Sequence, residues 1–224
     1  MELFKCSNVH AIKSELIGNV ETPLGNIVLD FNVEDRSTCN IIPSKLYTLL
    51  NGRGYIGEWI TKKFRAELLL CRPNISTPYH TSVQGYWAGM WRVGSYTDIN
   101  QCFFSSTWRK GFSWNYGGIN SGEGLECQIW DDGKTSVAIG TEDGQRLIVR
   151  ASKNDYFPER FEKEINPYNA VTYSREGLVV PIHNLHNNDI LQIQFIIAWS
   201  KEDIPAWFAV DMDGKKILES VMCT

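Results

Sequence analysis

The sequence lacks the features that mark exported, membrane-spanning and disulfide-bonded proteins. Its first residues include the acidic Glu2 and no apolar run of signal-peptide length. No segment approaches the roughly 20 apolar residues that a membrane helix needs. The six cysteines lie far apart, without a Cys-x-x-Cys pair, which favours free thiols in a reducing compartment. We therefore expect a cytoplasmic protein with no transmembrane segment.

Signatures of nucleic-acid binding, catalysis and metal binding are also scarce. The net charge is −4 and the Lys and Arg residues are scattered, whereas a nucleic-acid partner requires clustered cations. The Gly-x-Ser-x-Gly motif and the Walker phosphate loop are absent. His183 and His186 have only Asp189 nearby, which is too small a ligand set for a zinc site. We expect no nucleic-acid partner, no metal and no cofactor.

Alternating apolar residues, by contrast, are common and predict β-strands. The segments 27–33, 64–71 and 189–200 show this pattern or are apolar throughout. Three Asp-Gly pairs, at 132–133, 143–144 and 213–214, predict tight hairpin turns, because Asp and Gly accept the positive φ of a type I′ turn. The first two pairs would separate three consecutive strands, at 125–130, 135–140 and 146–151. Helix signals are confined to 43–52 and 158–165.

These patterns predict one domain that covers residues 1–224. We predict an all-β fold, a two-layer antiparallel β-sandwich of jelly-roll type with one or two short helices. The alternative is a lipocalin-like closed barrel. The composition, 43% hydrophobic and 21% charged, is that of an ordinary globular protein, and a chain of this length buries a core without disulfides or metals.

The densest functional signal is a concentration of ten aromatic residues between Tyr86 and Tyr116. If residues 82–93 form one strand, Gly and Trp alternate on one of its faces, and a glycine in a strand often marks the close approach of a ligand. We predict a slot in which a flat sugar ring or a hydrocarbon would lie. The alternative is that side chains of a facing sheet fill the gaps. The predicted ligand-binding residues are Trp87, Trp91, Arg92, Tyr96, Trp108, Trp114, Asn115 and Tyr116.

Two carboxylates near this aromatic region are the catalytic candidates. Glu126 is predicted to lie within a strand, where desolvation would raise its pKa toward that of a general acid. Glu123 precedes it in a segment rich in Gly, Ser and Asn, a composition suited to recognition loops. Most other carboxylates fall at turns, where their charge is solvated.

Three functions are consistent with the sequence. The first is lectin-like, non-enzymatic binding of a small molecule or carbohydrate in an aromatic pocket. The second is a cofactor-independent cyclase, isomerase or lyase, in which the aromatic walls stabilise positive charge on an apolar substrate. The third is a membrane-active or self-associating protein with exposed indoles, which would include a homo-oligomer. The sequence does not decide whether the protein is an enzyme.

Overall fold

A computed structural model describes residues 4, 8–34, 36–74, 83–109, 115–122, 124–201 and 214–222 of the chain. These residues form two antiparallel sheets. The larger sheet contains, in spatial order, β1 (Val9–Ile12), β5 (Lys45–Leu49), β6 (Gly54–Ile60), β7 (Phe64–Cys71), β8 (Gly85–Ser95), β15 (Ile190–Ser200), β12 (Ser136–Glu142), β11 (Leu125–Asp131) and β10 (Asn115–Gly122). The smaller sheet contains β13 (Thr172–Ser174), β14 (Gly177–Leu185), β9 (Ile99–Trp108), β3 (Gly25–Val33) and β2 (Asn19–Thr22), with β4 (Arg36–Ser37) paired to β3.

Helices are few and short in the described part of the chain. They are α1 (Gly144–Ser152), α2 (Phe161–Glu164), α3 (Gly214–Met222) and a 3₁₀ turn at Thr38–Asn40. The predicted all-β sandwich with short helices is confirmed. The closed-barrel alternative is wrong, because neither sheet of the described residues closes on itself. No helix within the described ranges is long and apolar enough to cross a bilayer.

The central strands of the larger sheet are buried on both faces, which explains why they are apolar almost throughout. Its inner face packs on the smaller sheet: Trp91 and Val93 of β8 belong to the same core cluster as Phe104 of β9. The intervening residues, such as Met90, belong to a second cluster with Ile217 of α3. The outer face of the larger sheet therefore carries α3.

Two predictions of local structure are wrong for identifiable reasons. Residues 43–52 form strand β5 and a turn instead of a helix, because β5 pairs on one side with β1 and on the other with β6. Residues 146–151 belong to α1 instead of a strand. Asp143 is the N-cap of α1, and its side chain accepts a hydrogen bond of 2.8 Å from the Arg146 backbone N–H.

The other two Asp-Gly pairs have different outcomes. Asp132-Gly133 lies between the paired strands β11 and β12, as predicted, but the turn is not of type I′, because Gly133 has a φ of +82° whereas the φ of Asp132 is not positive. Asp213 lies outside the described residues, and Gly214 begins α3. The predicted helix at 158–165 is confirmed in part, since α2 covers Phe161–Glu164.

Candidate functional site

The predicted slot beside the tryptophans of β8 is filled. A Cβ placed on Gly89 would lie 2.2 Å from Cδ1 of Leu29, which projects from β3 in the facing sheet. A Cβ placed on Gly85 would lie 2.2 Å from Cζ2 of Trp199 on the neighbouring strand β15. The expectation of open space is therefore wrong, and the alternative of core packing by large side chains opposite small ones is correct.

Two of the predicted stacking indoles are consequently part of the core. Trp91 is 1% exposed, and its ring centroid lies 5.4 Å from that of Trp59. Trp108 is 3% exposed. Trp87 is half-buried at the edge of the core, where the Arg72 guanidinium lies 4.6 Å from its ring centroid. Of these three indoles, Trp87 is the least buried.

An open aromatic and polar surface lies instead at the β10 edge of the larger sheet. Cross-strand partners share a face of a sheet: Tyr116 is paired with Trp130, Ile119 with Gln128, and Ser121 with Glu126. Trp130 belongs to the core between the sheets, so these residues all lie on the inner face. Tyr116 is 49% and Ile119 is 51% exposed. We call Tyr116, Ile119, Ser121, Glu126 and the nearby Tyr173 the β10–β11 face.

Tyr116 is the outer end of an aromatic column that begins in the core. Trp108 of β9 packs edge-to-face on Trp130 of β11, with ring centroids 5.7 Å apart. Trp130 packs in turn against Tyr116, at 6.4 Å and an interplanar angle of 74°. Edge-to-face pairs at these separations are favourable beyond their buried area. The column holds an exposed phenol ring on an otherwise lightly packed edge strand.

A carboxyl–phenol pair closes the inner end of this face. The Tyr173 hydroxyl of β13 donates a short hydrogen bond to Oε2 of Glu126 on β11. Beside it, the Gln128 amide donates to the Ser174 carbonyl oxygen at 2.6 Å. These bonds join β13, an edge strand of the smaller sheet, to β11, the strand next to the β10 edge of the larger sheet. Both Glu126 and Tyr173 are half-buried.

Burial changes the acidity of both members of the pair. Desolvation raises the pKa of Glu126 above its ordinary value of 4.5, the Tyr173 hydrogen bond opposes this shift, and the negative charge of Asp143 adds to it. Desolvation and the Glu126 carboxylate both raise the pKa of Tyr173. The pair is thus one carboxyl group that holds a proton more readily than usual and one phenol that stays protonated. Such a pair can donate and accept hydrogen bonds or exchange a proton with a ligand.

The remaining predicted residues do not join this face. Arg92 lies on the outer face of the larger sheet and is buried, with its Nε–H donating to Oε1 of Gln192 at 2.8 Å. Tyr96 is exposed just after β8, three strand positions from β11. Asn115 is exposed but is paired with Asp131, so it points to the outer face. Trp114 and Glu123 lie outside the described residues.

The sequence reasoning missed Tyr173, Ile119 and Ser121. The alternation of β10 against β11 could have identified Ile119 and Ser121 once the strand pairing was known. No sequence signal places Tyr173 beside Glu126, because the two are 47 residues apart and meet only through the packing of two sheets.

Metal ligands are not assembled in the described part of the chain: no group of three or more His, Cys, Asp or Glu side chains is close enough to hold an ion there. Four described cysteines are free thiols. Burial raises the pKa to about 12 in three of them, Cys71, Cys102 and Cys127. Buried thiols with a raised pKa are poor nucleophiles near neutral pH.

Comparison with known proteins supports the fold. The sequence matches no family model and no curated protein. Its structure is similar to that of a bacterial glucoamylase solved in complex with acarbose, with a TM-score of 0.50, 10% identity, and 97% of this chain aligned to 34% of that one. A polysaccharide lyase gives a TM-score of 0.35 with 9% identity, over 78% of this chain and 25% of the lyase. The chain spans about a third of the glucoamylase, and at this identity the likeness concerns the fold alone.

Proposed function

We propose that this protein binds a carbohydrate, or a ring-shaped small molecule of similar polarity, on the β10–β11 face without chemical change. The observation that carries the proposal is the exposed Tyr116 ring, held by an aromatic column next to the Glu126–Tyr173 pair. The glucoamylase with a similar fold was solved with acarbose, but this likeness assigns no residue here.

The composition of the face matches the two-sided chemistry of a sugar. The C–H face of a sugar ring packs on an aromatic ring, as apolar groups do on Tyr and Trp at interfaces. The hydroxyl groups of the sugar need hydrogen-bond donors and acceptors around the aromatic ring of the site. A site that supplies them is specific, because a ligand without these hydroxyl groups would leave the polar groups of the protein unpaired. Tyr116 and Ile119 supply the apolar floor, and Ser121, Glu126 and Tyr173 supply the polar groups.

Calorimetric titration with a panel of neutral mono- and oligosaccharides tests the proposal. Tyr116→Ala should weaken binding about two- to tenfold, the range expected for one lost stacking ring. Tyr55→Ala is the matched control, because Tyr55 is also an exposed tyrosine on a strand. Its strand β6 lies six positions from β10 in the larger sheet, which is roughly 29 Å at about 4.8 Å per strand. The proposal fails if no sugar binds wild type at concentrations up to about 10 mM, or if both variants lose affinity equally.

A second candidate function is acid–base catalysis at the same face, favoured by the raised pKa of Glu126 and its bond to Tyr173. A carboxyl group with a raised pKa can donate a proton at a pH where ordinary carboxyls are ionised. Glu126→Gln would then preserve binding and abolish turnover. If an activity is found and Glu126→Gln retains it, Glu126 is not the acid, and the binding function stands alone.

A further inference from the structure

A row of charged and amide side chains crosses the outer face of the larger sheet, far from the β10 edge. Glu58, Glu67, Arg92 and Gln192 are successive cross-strand partners on β6, β7, β8 and β15. All four are buried. Burial of charge is expensive unless it is matched, and the Arg65 guanidinium lies between the two carboxylates, paired with Glu58 and 2.7 Å from Glu67.

A cavity of about 540 Å³ lies at the Gln192 end of this row, between α1 and α3. Its volume is typical of a small-molecule site. The α3 helix comes this close because it begins with glycine: a Cβ on Gly214 would lie 2.3 Å from Oε1 of Gln194 and 2.6 Å from Nε2 of Gln192. The cavity is therefore bounded by the sheet below and by a helix on either side.

Positive charge is in excess in this cavity. Five cationic side chains line it: Arg92, Arg146, Arg150, Lys153 and Lys215. Three carboxylates oppose them, from Glu142, Asp155 and Glu219. Glu142 is paired with Arg150 at 2.5 Å and lies 3.7 Å from Arg146, and Glu219 lies 3.8 Å from Lys215. The side chains that line the cavity sum to a charge of +2, and Glu67, the cross-strand partner of Arg92, offsets part of this charge from outside the lining.

Arg150 fixes the geometry of the cavity wall. Its guanidinium donates to the backbone carbonyls of Asp155, Tyr156 and Gln192 as well as to Glu142. These bonds hold the segment after α1 in an unusual conformation, with Asn154 at φ +48° and Tyr156 at φ +46°. Non-glycine residues persist in this region only where surrounding contacts hold them.

The strained segment places the exposed Tyr156 ring over the buried Arg92. The Arg92 guanidinium lies 3.8 Å from the Tyr156 ring centroid and 4.5 Å from that of Phe4. Burial lowers the pKa of Arg92, because its charge is poorly solvated. The nearby carboxylates of Glu67 and Asp155 partly oppose this shift.

We propose that this cavity binds a small organic anion of monosaccharide size. Arg146 and Lys153, which are the more exposed cations on α1 and just after it, hold the phosphate or carboxylate group. The ring of the ligand packs on Tyr156. The cavity lies on the outer face of the larger sheet, opposite to the β10–β11 face.

Calorimetric titration with glucose 6-phosphate, glucuronate and neutral glucose tests the proposal and separates the two kinds of anionic group. At least one anion should bind ten times or more tightly than glucose, and its affinity should fall as salt rises. Lys153→Gln and Arg146→Gln should each weaken it about tenfold, in keeping with the loss of one charge-assisted hydrogen bond. Lys163→Gln, an exposed cation on α2, is the matched control and should change nothing.

The assignment is overturned if neither anion binds better than glucose, or if Lys153→Gln and Arg146→Gln both stay within twofold of wild type. Lys153 is exposed, so Lys153→Gln should fold and give a result in either case. Tyr116→Ala should leave anion affinity unchanged, so failure of sugar binding at the β10–β11 face and failure of this site are distinguishable.

Discussion

The contact between Leu29 and Gly89 offers a quantitative test of how the two sheets pack. Leu29 is 1% exposed, and its Cδ1, Cδ2 and Cγ atoms would lie 2.2, 3.1 and 3.2 Å from a Cβ on Gly89. Leu29→Ala should reduce the free energy of unfolding by about 2–5 kcal/mol, since it leaves a cavity in the core. Gly89→Ala should reduce it by about 1–3 kcal/mol, since the new methyl group overpacks the same space.

The double variant should be more stable than the sum of these effects predicts. Once Leu29 is shortened, the methyl group at position 89 occupies vacated space, so the two changes should couple by about 1–3 kcal/mol. Urea unfolding followed by tryptophan fluorescence and circular dichroism measures all four corners of the cycle.

A second cycle supplies the control for this experiment. Gly85 faces Trp199 instead of Leu29 and lies roughly 13 Å along the strand from Gly89 at about 3.3 Å per residue. Leu29→Ala and Gly85→Ala should therefore be additive within about 0.5 kcal/mol. Additivity in the Leu29–Gly89 cycle as well would refute the conclusion that Leu29 fills the predicted slot.

Three further predictions concern acidity, capping and thiol reactivity. Because the folded pKa of Glu126 lies above 4.5, the contribution of this carboxyl to stability is complete below that pH and is lost as the pH rises through the folded pKa. The urea midpoint of the wild-type protein should therefore fall relative to that of Glu126→Gln between about pH 4 and 7. Parallel pH profiles of the two proteins would contradict this. Asp143→Ala should lower the free energy of unfolding by about 1 kcal/mol in the same assay, through loss of the α1 N-cap; an unchanged value would mean that the cap contributes nothing. Iodoacetamide should label the half-buried Cys39 of the native protein well before the buried Cys71, Cys102 and Cys127, as followed by peptide mass spectrometry. Equal labelling rates would show that burial does not protect these three thiols.

The strands were predictable wherever one physical signal dominated. The apolar segment 64–71 is β7 with the same bounds, and the predicted strand at 189–200 is β15 with one residue fewer at its start. Tertiary pairing decided the exceptions. Residues 43–52 carry a proline and a glycine at helix-like positions, but β5 has a hydrogen-bonding partner on both sides, and these ladders outweigh local preference.

Asp143-Gly144 shows how one dipeptide serves two structures. Asp and Gly fit a type I′ turn, and the same Asp fits a helix N-cap because its carboxylate accepts from the backbone N–H three residues later. In α1, Leu147 and Ala151 lie four residues apart and are both buried. That spacing is the periodicity of an amphipathic helix, which distinguishes α1 from a hairpin strand.

The candidate site was only partly predictable. Glu126 and Tyr116 were both named from sequence, and the structure places both on the β10–β11 face. Their neighbour Tyr173, and the closure of the slot by Leu29, depend on contacts between sheets that are distant along the chain. Such contacts follow from the packing of layers, which the periodicity of a single strand does not encode.

The most direct test of a ligand surface at the β10 edge is nuclear magnetic resonance mapping with the tightest-binding neutral sugar of the panel. Backbone amide shifts of the wild-type protein, recorded during the titration, should move most in β10 and in the first half of β11, with the largest changes at Ile119, Ser121 and Glu126. Changes centred on the outer face near Arg92 and Tyr156, or spread evenly over both sheets, would contradict the proposed carbohydrate-binding face.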